Sequence, residues 1–194
     1  MLAGKGYQVY NISGGIKKWD SPAAYGLPEQ GLELFSGHES PQETLTVAFA
    51  LEEGLREFYL SMRKQVQNND VKQLFSRLAA IEVKHQERLL NEYNALSGEA
   101  WTREAFAAKQ AAPAMEGGLT TAEYLRIFDP DLESTADIVS LAMSIEAQAF
   151  DLYQRAAEIG SDPHSRSVLK RIAEEERTHM AQLGKLMAQL SDDD

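Results

Sequence analysis

From Ser40 onward the apolar residues recur at the three- and four-residue spacing of amphipathic helices; before Ser40 they do not. The stripe Val71, Leu74, Phe75, Leu78, Ile81, His85, Leu89 and Tyr93 shows the pattern most fully, and it places a histidine among core positions. Four long helices are predicted. The first opens at Ser40-Pro41-Gln42-Glu43, a capping box with proline at the first helical position, and runs to about Gln67. The second begins after Asp70 and ends near Ser97-Gly98. The third opens at Ser134-Thr135-Ala136-Asp137, which reads as another capping box, and runs to Gly160. The fourth starts at Asp162-Pro163 and continues to about Leu190.

Short turns near 67–70 and 160–163 make each consecutive pair an antiparallel hairpin. The hairpins are joined by residues 98–133, with short helices predicted at Thr102–Lys109 and Thr121–Phe128. The expected fold is all-α: a ferritin-like four-helix bundle of two hairpins with one long crossover. Residues 1–36 read as a separate, irregular extension. Gln8–Ile12 is β-prone, Gly14-Gly15 is a turn, Ile16–Trp19 suits one helical turn, and Pro22, Gly26, Pro28 and Gly31 have linker composition. The chain therefore divides at 1–36 and 37–194.

The two hairpins repeat. At an offset of 94 residues Ser40 meets Ser134, Ala48 meets Ala142, Leu51 meets Ile145 and Tyr59 meets Tyr153. Glu52 falls on Glu146 (146 − 52 = 94), Glu82 on Glu176 and His85 on His179. Within Glu82-Val83-Lys84-His85 and Glu176-Arg177-Thr178-His179, the Glu and His lie three apart and share a helix face. Glu52 and Glu82 are centred on residue 67, and Glu146 and Glu176 on 161, so each Glu stands roughly 22 Å from its turn at 1.5 Å per residue. All four helices thus bring their candidate ligands to one level.

Four carboxylates and two imidazoles make a set of six metal ligands: Glu52, Glu82, His85, Glu146, Glu176 and His179. Four negative charges in a core repel one another, and two divalent cations would neutralise them. The donor chemistry suits iron or manganese, and zinc could also enter. Tyr59 and Tyr153, each seven residues after a candidate Glu, either fill the core or donate hydrogen bonds to ligating carboxylates. His38 and His164 are expected at the surface. Glu53, Glu57, Glu174 and Glu175 are expected as outer-face charges, and Met143, Met180 and Met187 as core or interface filler.

There is no cysteine, which excludes disulfides, thiolate catalysis and thiolate-held zinc or iron–sulfur centres within these residues. A net charge of −11 argues against nucleic-acid and anionic-membrane partners. No apolar run approaches a membrane span, and the opening residues lack a secretory signal, so a cytoplasmic protein is expected. An apolar helix face predicts a homodimer.

The segments 50–59 (Ala-Leu-Glu-Glu-Gly-Leu-Arg-Glu-Phe-Tyr) and 81–87 (Ile-Glu-Val-Lys-His-Gln-Glu) resemble the first two helices of the rubrerythrin branch of the ferritin-like superfamily. The resemblance covers residues 40–190. It implies a di-iron centre that acts on hydrogen peroxide or dioxygen, with the six ligands as its catalytic set. Two departures stand out. Ala149 occupies the position of an additional glutamate that rubrerythrins carry, and their four-cysteine rubredoxin-like centre has no counterpart, so electrons are expected from an external donor protein. An iron-storage ferroxidase and a metal-stabilised interaction bundle are the competing readings. Residues 6–19, Gly-Tyr-Gln-Val-Tyr-Asn-Ile-Ser-Gly-Gly-Ile-Lys-Lys-Trp, resemble the end of a rhodanese domain without its cysteine loop. This implies that Met1 lies inside a longer rhodanese–ferritin-like fusion.

Overall fold

The computed structural model describes residues 31–109 and 120–192, with side chains as far as 188. The rhodanese-like stretch at 6–19 lies outside the described residues. A 3-10 turn at Leu32–Leu34 precedes six helices: α1 (Pro41–Gln65), α2 (Asn69–Ser97), α3 (Arg103–Lys109), α4 (Thr121–Phe128), α5 (Thr135–Ile159) and α6 (Pro163–Asp192). The described residues contain no strand, and α1, α2, α5 and α6 are the four long helices that the apolar periodicity predicts. No helix among them is long and apolar enough to cross a membrane.

Polar side chains set the helix starts. Ser40 Oγ accepts the Glu43 amide at 3.3 Å while Glu43 Oε2 accepts the Ser40 amide at 2.8 Å, which completes the box at α1. At α2 the cap comes earlier than predicted: Asn68 Oδ1 accepts the amides of Asp70 at 2.8 Å and Val71 at 3.3 Å, and helix begins at Asn69. The box expected at α5 is half formed. Ser134 Oγ accepts the Asp137 amide at 3.2 Å, but Asp137 Oδ2 accepts from the Asp131 amide instead of the Ser134 amide. Aspartate is one methylene shorter than the glutamate of a full box, and the Ser134 amide is already taken by Asp131 O at 3.0 Å.

The apolar core falls into two clusters. One joins the C-terminal half of α1 and the N-terminal half of α2 (Phe58, Met62, Val71, Phe75) to the start of α5 and Leu183 of α6. The other joins the start of α1 and the end of α2 (Leu45, Phe49, Leu89) to the end of α5 and the start of α6 (Leu152, Ala156, Val168, Ile172). Two consequences follow from this membership: α1 and α5 run antiparallel, and the two hairpin turns lie at opposite ends. The crossover helices seal these ends, Phe106 of α3 packing into the second cluster and Tyr124 of α4 into the first.

Phe35 is buried at 3% exposure and meets the Tyr153 ring edge-on at 6.5 Å, so packing on the bundle begins before residue 37. Gly37 fastens this entry. Its carbonyl accepts the Ser161 amide at 2.9 Å, its φ is +82°, and a Cβ there would lie 2.7 Å from Ile159 O. Gly98 also has positive φ, at +73°, but a Cβ would meet nothing within 4 Å. Left-handed backbone costs a non-glycine residue about 1–2 kcal/mol. Gly98→Ala should therefore lower stability by about that amount, and Gly37→Ala by clearly more, because backbone must also move. Urea unfolding midpoints of the two variants test this; equal losses would show that the Ile159 contact has no weight.

Candidate metal centre

Between the two apolar clusters lies a layer of ionisable side chains. Glu52 of α1, Glu82 of α2, Glu146 of α5 and Glu176 of α6 are each 0% exposed, with His85 at 6% and His179 at 4%. Helical geometry places them there. Each histidine follows its glutamate by three residues on the inward face, and each turn is far enough away to bring all four helices level.

His85 Nδ1 lies 3.1 Å from Glu52 Oε2, 3.0 Å from Glu82 Oε2 and 3.9 Å from Glu176 Oε1. His179 Nδ1 lies 3.0 Å from Glu176 Oε2, 3.3 Å from Glu146 Oε2 and 3.9 Å from Glu82 Oε1. The rings stand parallel, 5.2 Å between centroids and 5° apart in tilt. Two donor groups result: Glu52, Glu82, His85 and Glu176, and Glu82, Glu146 and His179, each with one ligand atom per residue within 4.8 Å of the others. Glu82 belongs to both, so its two oxygens can serve two ions. Among the described residues, Glu176 Oε1 is buried with no hydrogen-bond partner, which is costly for an oxygen sealed from water unless a cation meets it. The donor set fits divalent metal, and the arrangement is compatible with metal binding.

The tyrosines bond crosswise between the hairpins. Tyr59 OH of α1 donates to Glu146 Oε1 of α5, and Tyr153 OH of α5 donates to Glu52 Oε1 of α1 at 3.3 Å. Burial first, then the Glu146 charge, pushes the Tyr59 phenol well above its ordinary range, so it remains a proton-bearing donor. The carboxylates divide. Burial would raise Glu52 and Glu146, but for Glu52 the His85 hydrogen bond and charge prevail, for Glu146 those of His179, and both are held low. Glu176 is pushed well above the usual carboxylate value, by burial and then by the charges of Glu146 and Glu52. Burial would lower His85, but its bond to Glu52 and the charges of Glu52 and Glu175 raise it.

Two expectations about the periphery need correction. Glu53 and Glu175, expected as outer-face charges, are both half-buried and paired. Glu53 Oε2 accepts Gln86 Nε2 at 2.6 Å, and its other oxygen accepts Arg56 at 3.1 Å. Gln86 is fully buried and also accepts Arg103 Nη1 of α3 at 3.2 Å, which ties the crossover to the first hairpin. Glu175 binds Arg88 and approaches His85. These partners come from different helices, and spacing along one helix carries no sign of them. Glu57 and Glu174 are exposed, as are His38 and His164, the last paired with Glu92 at 2.8 Å. Met143 is buried and Met180 and Met187 are half-buried. Ala149 is fully buried in the second apolar cluster, where it adds no carboxylate to the site.

A family model described as Rubrerythrin matches residues 43–187, about three quarters of the chain. Among curated proteins none matches. A solved structure of a hypothetical protein from Pyrococcus furiosus superposes with a TM-score of 0.50 at 22% identity, covering 80% of this chain and 92% of its own. At that identity the likeness speaks to fold alone.

Glu176 predicts how the metal-free protein responds to pH. A carboxyl whose folded pKa is raised above its ordinary 4.5 contributes stability below that value and loses the contribution as pH rises through the folded pKa. Glutamine at 176 does not titrate. Metal-free Glu176→Gln should therefore melt higher than its parent, by a margin that widens as the pH rises above the ordinary carboxyl value of 4.5. Thermal melts in chelator measure it; a margin that stays constant or narrows contradicts the assignment.

Proposed function

The chain belongs to the rubrerythrin family, and from that premise we propose that Glu52, Glu82, His85, Glu146, Glu176 and His179 hold two iron ions that serve to reduce hydrogen peroxide or dioxygen. The observation that supports this most is the pair of donor groups sharing Glu82 in a layer closed above and below by apolar side chains. Iron would supply redox electrons and polarise a bound oxygen atom. Manganese suits the same donors, and zinc is a further substitute.

The chain's own residues provide position and exclusion. Tyr59 and Tyr153 hold one oxygen each of Glu146 and Glu52, leaving Glu146 Oε2 and Glu52 Oε2 directed to the histidines. Phe58, Phe75 and Ile145 on one side and Phe49, Leu152 and Ile172 on the other keep bulk water from the layer. Reduction of one peroxide to two waters consumes two electrons and two protons. The electrons come from a donor outside these residues, which contain no cysteine to hold a thiolate-bound relay centre.

Metal-free protein loaded anaerobically with two iron(II) per chain should oxidise rapidly with peroxide and return on addition of reductant. Glu82→Ala and His179→Ala should each weaken iron binding by more than the ~10–100-fold typical of outer contacts. Optical spectra and metal analysis follow both. Uptake well above two iron per chain under dioxygen would favour storage, slow stoichiometric binding without a redox response would favour a structural metal, and unchanged metal content in the variants would overturn the ligand set.

A further inference from the structure

The 94-residue repeat makes each hairpin a control for the other. All six donors match at that offset, but the residues behind the histidines do not: Glu175 corresponds to Ile81 (175 − 94 = 81) and Arg88 to Gln182 (88 + 94 = 182). The mismatch lies on the far side of the rings. His85 turns Nδ1 inward and Nε2 toward Glu175 Oε2, 3.8 Å away. Glu175 is in turn gripped by the Arg88 fork, Nη1 donating to Oε1 at 2.5 Å and Nη2 to Oε2. Among the described residues, the carboxylate contacts of His179 with Glu82, Glu146 and Glu176 all run through Nδ1.

A neutral imidazole carries one ring proton. When Nδ1 gives its lone pair to a cation, that proton must sit on Nε2, and an anion facing Nε2 fixes the ring and makes it a better donor. Glu175 faces Nε2 of His85; at the equivalent place for His179 the repeat offers the hydrocarbon of Ile81. We infer that Glu175 and Arg88 make the two ion positions unequal, so that the ion on His85 binds first and is held more tightly while the ion on His179 exchanges more readily. The inference rests on the reading that the six donors hold two ions. Glu175 and Arg88 act through His85 and are positioning residues.

Anaerobic titration of the metal-free full chain with cobalt(II), read by its visible bands and by calorimetry, tests this. The parent should bind in two steps, the first about tenfold or more tighter than the second. Glu175 is half-buried, so Glu175→Leu removes the anion with little loss of core. It should weaken the first step by about 10–100-fold and merge the two, with Glu175→Gln, which keeps an acceptor, in between. His179→Ala should keep the tight step and His85→Ala should lose it. Ile81→Glu combined with Gln182→Arg should strengthen the second step. Two equal steps in the parent, or a step ratio unchanged in Glu175→Leu, would overturn the inference and leave the six-donor centre standing. A parent that binds no cobalt overturns both.

Discussion

Four carboxylates at zero exposure in one layer of a helical bundle are the constraint around which the rest is arranged. Their charges cannot all persist in an apolar interior, where each isolated ion costs several kcal/mol of lost hydration. The molecule meets this in part with its own donors: two histidines, two phenols and the proton that burial and neighbouring charge keep on Glu176. A set that is only partly neutralised by protein, with its ligand atoms in two groups, is suited to divalent cations.

The apolar clusters take their meaning from that layer. Placed above and below it, they set the level at which the helices present their glutamates, and the crossover and entry segments close the two ends through Tyr124, Phe106 and Phe35. Stability and site geometry are thereby joined, since the side chains that hold the hairpins together are also the walls that exclude water. The polar network of Glu53, Gln86, Arg56 and Arg103 extends the same logic outward from the first hairpin; the second has Ala147 and Met180 at the positions matching Glu53 and Gln86.

Helical period, caps and the repeat made the long helices, both short crossover helices and the grouping of Glu52, Glu82, His85, Glu146, Glu176 and His179 legible in the residues alone. Those features depend on distances along one chain segment, which spacing encodes. What spacing does not encode is which faces of different helices meet. Hence Tyr59 could be placed near a carboxylate but not assigned to Glu146 rather than Glu52, and Glu175 looked like a solvent-facing charge until α2 supplied Arg88. The half-formed box at Asp137 has a smaller reason: the reach of a side chain by one methylene decides which amide it satisfies.

The crosswise phenols bear on how the hairpins find their register. Burial of apolar surface is non-directional, so Leu, Phe and Ala contacts specify axial register less sharply than hydrogen bonds do. Tyr59 with Glu146 and Tyr153 with Glu52 do not tolerate a shift, since a slide of α1 along α5 stretches both bonds at once and leaves two buried hydroxyls and two carboxylate oxygens without partners. Axial alignment of the two halves is thus specified by a pair of hydroxyl groups, in the manner of a two-pin key.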